Sequence, residues 1–220
     1  MNVAPNALGK TEIDALDVQI ARVHAATGVR VVAAEIGKAD TYEDLPWKAF
    51  ALGVALTALL VVGVGVLIPE WQTPLSTMLS AVIILAVGAL AALLAILVPA
   101  FARLFLHGAQ CEREVGQYAQ ALFLRRELFK TPHRDAVLIL VSRFERRVHI
   151  LADTGLQRSI ADAEWQAVID RMKPALRNAQ TADALQAGLA AIEEILVRSG
   201  YRAAGATGEP TDPVIEEKGA

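Results

Sequence analysis

The sequence predicts an α/β protein: a small sheet of three or four strands, covered by helices and interrupted by a two-helix transmembrane hairpin. Three observations predict it. Of the 220 residues, 54% are hydrophobic, and that excess is concentrated between Ala49 and Ala102, where Glu70 is the only ionisable side chain. The stretches on either side carry the mixed charge of an ordinary soluble domain. Within them, short β-branched runs alternate with helical periodicity, the pattern of a sheet dressed with helices.

The first uncharged run, Ala49 to Ile68, has about 20 residues and reaches roughly 30 Å as a helix, the thickness of a hydrocarbon core. Pro69, Glu70 and Pro74 mark a tight polar turn. A second uncharged run, Leu75 to Ala102, is long enough to span with tilt or to run on past the interface. A chain of this length has too little remaining mass to bury two helices that are apolar all round, which favours lipid as their surroundings. Gly63 and Gly65 lie in mid-span with no strand before them, so they are expected to be packing positions and not a dinucleotide loop. Ala91 and Ala95, four apart, are a further place for close approach.

Orientation is read from the basic residues. Arg30, Lys38 and Lys48 precede the first span, Arg103 and Arg113 follow the second, and the loop from Pro69 to Pro74 has none. The positive-inside rule then places both termini in the cytoplasm and the loop outside, in an inner (plasma) membrane crossed more than once. Trp47 and Trp71 stand at the two ends of the first span, where aromatic belts form. The first 48 residues contain no short apolar core followed by a small-residue cleavage site, so no removable signal is expected.

Upstream of the hairpin, Thr11 to Thr27 has Ile13, Leu16, Ile20 and Val23 on one helical face, with Thr11 and Asp14 resembling a capping box and Gly28 as the stop. Val29 to Ile36 reads as a strand, and Lys38 to Pro46 as a polar loop. Downstream, Glu112 to Phe129 is predicted helical and ends before Thr131-Pro132. Ala136 to Ser142 is apolar on both faces, as a central strand is. After a turn over Arg143 to Arg146, Arg147 to Asp153 alternates as an edge strand would. Helices are predicted over Asp162 to Arg177 and Thr181 to Arg198. From Ser199 onward the chain is rich in Gly, Pro and acidic residues and is predicted to be disordered. The first strand cannot bury two faces alone, so it must join the later ones, parallel to Ala136–Ser142. The domain is then discontinuous: residues 1–48 and 103–198 form it, the hairpin of 49–68 and 75–102 is inserted, and residues 199–220 trail.

The net charge is −3 and no Lys/Arg stripe occurs, so nucleic acid is not an expected partner. Cys111 is the only cysteine, which excludes a disulfide framework and a cysteine-based metal site. His24, His107, His133 and His149 lack paired ligand spacing. Ser142 and Ser159 lack a nucleophile-elbow setting. Asp40, Glu43 and Asp44 cluster in the loop after the first strand, and Asp153 ends the third. Hard oxygen ligands of this kind suit Ca²⁺ or Mg²⁺, although the spacing matches no regular cation loop; no cofactor is required by the sequence. Arg143, Arg146 and Arg147 form a charged turn, with Glu145 among them.

The order of helix, Thr27-Gly28, apolar strand, Tyr42-Glu43-Asp44-Leu45-Pro46-Trp47, hairpin and Ala121-Leu122-Phe123-Leu124 carries a resemblance. It continues through Val137 to Ser142, Phe144-Glu145-Arg146-Arg147, Ile150-Leu151-Ala152-Asp153 and Trp165. The whole resembles the bacterial membrane branch of the TPM domain family, named for a thylakoid-lumen protein, a photosystem II repair protein and a nematode receptor modulator. The resemblance implies a membrane-associated helper of larger membrane complexes. Acid phosphatase activity and divalent-cation binding, attributed to some members, are what it implies as an alternative. The expected partners are the lipid bilayer and other membrane proteins, with the oligomeric state left open.

Overall fold

The structure, a computed structural model, describes residues 8–68, 73–178, 180–201, 214–217 and 219. It divides into two compact units, Met1–Asp40 with Ala109–Ala220, and Thr41–Gly108.

In the first unit, helix α1 (Lys10–Thr27) is capped at Gly9, whose N–H donates to Glu12 Oε2 at 2.7 Å. The cap therefore stands before the Thr11–Asp14 pair expected from the sequence, because Glu12 reaches back one turn. The helix stops at Gly28, whose φ of 74° lies in the left-handed region open to glycine. Strand β1 (Arg30–Ile36) then pairs in parallel with β2 (Ala136–Ser142), in register from Arg30↔Ala136 to Ile36↔Ser142. Strand β3 (Arg147–Ala152) runs antiparallel to β2, with Val137 opposite Ala152. The parallel pair and the antiparallel third strand are as the sequence predicts.

The tail departs from expectation. Ile215–Glu217 form β4, parallel to the free side of β1, so the sheet order among the described residues is β3-β2-β1-β4. The reading of residues 199–220 as disordered is corrected there: β1 would otherwise present a bare edge, and an apolar Val214-Ile215 pair covers it. Residues 202–213 lie outside the described residues.

The two faces of the sheet bury separate cores. Val31, Ala33, Val137, Ile139 and Val141 pack with residues of α1, α7 (Asp162–Arg177) and α8 (Thr181–Arg198). Val32, Ala34, Ile36, Leu138 and Leu140 pack with Val115, Ala119, Leu122 and Phe123 of α5 (Gly108–Arg125). This second helix begins before Glu112 and ends before Phe129; a 3-10 turn at Leu128–Lys130 takes over after Glu127, whose φ is 52°. Helices α7 and α8 approach where Gly188 faces Met172: a Cβ at Gly188 would lie 2.7 Å from the Met172 sulfur. A short α6 (Thr154–Gln157) links β3 to α7.

The second unit contains α2 (Asp44–Leu67), α3 (Pro74–Leu97), the short α4 (Pro99–Ala102) and a 3-10 turn at Arg103–Phe105. Pro99 divides the second apolar run, because its ring cannot continue the ladder of α3. Helices α2 and α3 are each long and apolar enough to cross a membrane. Leu59, Leu60, Val66, Leu67, Leu75 and Met78 are exposed. The helices pack through Gly53, where a Cβ would lie 3.1 Å from Ala91 Cβ and 3.2 Å from Gly88 Cα. Gly88 is tighter still, with Val54 Cγ2 2.6 Å from the position of its missing Cβ. Ala91 thus lines the approach as expected and Ala95 is buried, while Gly63 does not line it, since among the described residues no neighbouring segment lies within 4 Å of its Cβ position. The Pro69–Glu70 part of the predicted turn lies outside the described residues; Thr73 after it caps α3, accepting from Ser76 N at 3.2 Å.

Candidate functional site

Ligands of parallel sheets gather beyond the carboxyl ends of the strands. Here that rim is formed by residues 35–40, the end of β1 and the loop after it, and residues 142–145, the end of β2 and its turn. Two backbone bonds sew the segments together, Arg143 N–H to Ile36 O at 3.1 Å and Phe144 N–H to Gly37 O at 3.0 Å. Glu145 completes the seam from within. It is 8% exposed, accepts the Ala39 N–H at 2.9 Å, and makes a short bond with the Ser142 hydroxyl. Ser142 is fully buried, so its hydroxyl serves this clamp and meets no solvent. Lys38 lies over the Phe144 ring at 5.5 Å, and burial lowers its pKa, with Glu145 and Asp40 opposing.

Glu35 is the unusual group of the rim. It points to the α1/α7/α8 face, its side chain is 3% exposed, and Arg143 Nε lies 3.2 Å away. The Arg143 contact is an ion pair without a well-angled hydrogen bond, and the Thr181 side chain at the start of α8 also favours the carboxylate. Burial raises its pKa above the ordinary glutamate range; Arg143 opposes the rise and Glu216 adds to it. The sequence held a signal for it, a single charge inside the apolar run Val31 to Ile36.

A second cluster was not foreseeable from sequence. Glu217 accepts from the Tyr118 hydroxyl at 2.7 Å and from Arg125 at 2.6 Å, with Arg126 at 3.4 Å. Burial by itself would raise the Glu217 pKa, but Tyr118, Arg125 and Arg126 together lower it, so the group is held as a carboxylate. At the other end of the same short segment, Val214 N–H donates to Asp17 Oδ1 at 2.9 Å.

The four acidic residues nominated from sequence have different settings. Asp40 is half-buried at the rim. Glu43 precedes α2 as an exposed cap residue, and Asp44 in the first turn of that helix pairs with Lys48 at 2.5 Å. Asp153 stands at the opposite end of the sheet from Asp40, because β3 returns antiparallel and Asp153 N–H donates to Ala136 O at 2.9 Å, beside the start of β2. There it caps α6 through the Thr154 N–H at 2.7 Å and holds Arg134 Nε at 2.9 and 3.0 Å. Among the described residues no group of three or more His, Cys, Asp or Glu side chains is placed to hold a metal ion. His149 on β3 lies against α5, its ring 3.4 Å from the Cβ position of Gly116, and burial lowers its pKa against the pull of Glu112.

Comparison with known proteins agrees with this architecture. The family model of the TPM domain matches residues 96–195. Among solved structures, the NMR structure of the BA42 protein from the psychrophilic bacterium Bizionia argentinensis superposes with a TM-score of 0.59. The superposition covers 99% of this chain and 100% of that one, at 10% sequence identity, a likeness of fold alone. No curated protein matches the sequence.

Proposed function

We propose, for a chain whose residues 96–195 match the TPM domain model, a membrane-tethered interaction module, an accessory or assembly factor for membrane protein complexes. The observation that carries this reading is the hairpin: two 24-residue helices expose leucine, isoleucine and valine side chains along their length while joined to a folded domain with charged clusters. An apolar surface of that extent calls for lipid or the spans of another membrane protein. Basic residues before and after the hairpin favour both termini in the cytoplasm of a cell bounded by an inner membrane. The rim supports the same reading, since Glu145, Ser142 and Ala39 hold one another and join two loops.

The test is crosslinking in native membranes followed by purification through a terminal tag, with hydrolysis of a phosphomonoester measured in parallel, with and without Mg²⁺ or Ca²⁺. Reproducible capture of one membrane complex and no cation-dependent turnover is the expected result. Turnover lost on changing Asp40 and Asp44 to Asn would replace the reading with that of a cation-dependent phosphatase. Reporter fusions at each terminus check the orientation.

A further inference from the structure

Strand β4 is three residues long, yet each of its anchors is specific. Val214 and Ile215, each 8% exposed, enter opposite cores of the sheet, Val214 on the α1/α8 side and Ile215 on the α5 side. The segment runs parallel to β1 with Ala34 beside Ile215 and Ile36 beside Glu217. Its first N–H is taken by Asp17 and its last side chain by Tyr118, Arg125 and Arg126. These are the parts of strand-addition recognition: a main-chain ladder for affinity, two apolar anchors, and a basic site that reads one carboxylate.

The connection to this strand is long for its size. Residues 202–213 join Tyr201 to Val214, and a covalent link of that length gives the attached end an effective concentration of order millimolar. A peripheral strand of three residues can persist through tethering and still exchange, since short peripheral elements open at low free-energy cost.

We propose that the edge of β1 covered by β4 is a strand-acceptor site for an extended acidic segment of a partner protein, two apolar residues followed by glutamates, with the chain's own Val214–Glu217 as its resident occupant. The inference deepens the interaction-module reading and rests on it. The partner's segment pairs with β1, its second apolar side chain enters the α5 core, and its second glutamate meets Tyr118 and Arg125. Charge sets the preference, because Arg125 and Arg126 flank the carboxylate site from α5.

The test uses the full chain in nanodiscs, carrying a site-specific protease sequence within residues 202–213. The probe is a fluorescent peptide copying residues 213–219. After cleavage, saturable micromolar binding is expected, at least ten-fold tighter than to the uncut chain. Replacing the glutamate equivalent to Glu217 by Gln in the probe, or Arg125→Ala in the chain, should weaken binding about ten-fold. Equal binding to cut and uncut chain, no binding to the cut chain, or indifference to both substitutions would overturn the proposal. Loss of the folded state on cleavage would overturn it too, since β4 is then an obligate part of the sheet. A concentration-dependent dimer of the uncut chain, abolished by Arg125→Ala, would assign the site to a second copy instead of a partner. A failure here is separable from failure of the interaction-module reading: membrane crosslinks that persist in the Arg125→Ala chain leave the module and remove only this site.

Discussion

Glu35 and Glu216 stand side by side across β1 and β4, in register and on the same face of the sheet. Like charges directly opposite destabilise a strand pair, and the Glu216 carboxylate is one of the influences that raise the Glu35 pKa, after burial and against Arg143. A buried carboxylate with a raised pKa binds its proton in the folded state before the unfolded chain does. Its contribution to stability is therefore fully present below the ordinary value near 4.5 and is lost as pH rises through the folded value. The part of the urea midpoint that Glu35 governs should drop as pH rises above the ordinary value near 4.5. Glu35→Gln should flatten that dependence. A wild-type slope unchanged in the variant would assign the effect to another group.

Asp153 joins two jobs in one buried side chain, capping α6 and holding Arg134. Asp153→Ala should destabilise the domain by about 2 kcal/mol, the sum of a lost cap and a lost, half-exposed ion pair. Asp153→Asn keeps an acceptor for the Thr154 N–H and should cost less. Chemical denaturation of the two variants checks the order.

The acidic loop gives a third expectation. Asp44 already has Lys48, and Asp153 lies at the far end of the sheet from Asp40. Millimolar Ca²⁺ or Mg²⁺ should thus shift the melting temperature no more than NaCl at equal ionic strength. An ion-specific rise lost in Asp44→Asn would establish a cation site there.

In the hairpin, Gly88→Leu should force α2 and α3 apart, because the first added carbon already meets Val54 at 2.6 Å. Overpacking of this kind costs roughly 1–3 kcal/mol. At Gly63 an added Cβ meets no neighbouring side chain or segment within 4 Å among the described residues, and Gly63→Leu should be tolerated. Thermal midpoints of the detergent-purified chain, followed by size-exclusion, separate the two.

The discontinuous sheet supplies the last prediction. Each residue of β2 pairs with one of β1, so residues 112–220 expressed alone should aggregate, and residues 1–48 supplied through a flexible linker should restore a soluble fold. Cooperative folding of the downstream fragment by itself would contradict the role of β1 observed here.

Local patterning determined much of this protein. The apolar run Ala136–Ser142 became the buried centre of the sheet, and Asp162–Arg177 and Thr181–Arg198 became helices with the predicted bounds, because period and punctuation act over neighbouring residues. The parallel pairing of β1 and β2 was also legible, since a strand with two apolar faces needs a neighbour. What only the tertiary structure decided are relations between residues far apart in the chain. Gly53 meets Gly88 and Gly63 meets nothing, although all three are glycines in apolar helices. Asp153, nominated as a ligand, serves as a cap because Arg134 and the start of α6 converge on it. Val214–Glu217 looks like the rest of an acidic tail, and only the edge left bare by β1 and the basic groups of α5 give it a place. A three-residue strand has too little periodicity to announce itself; its conformation is imposed by the groove that receives it.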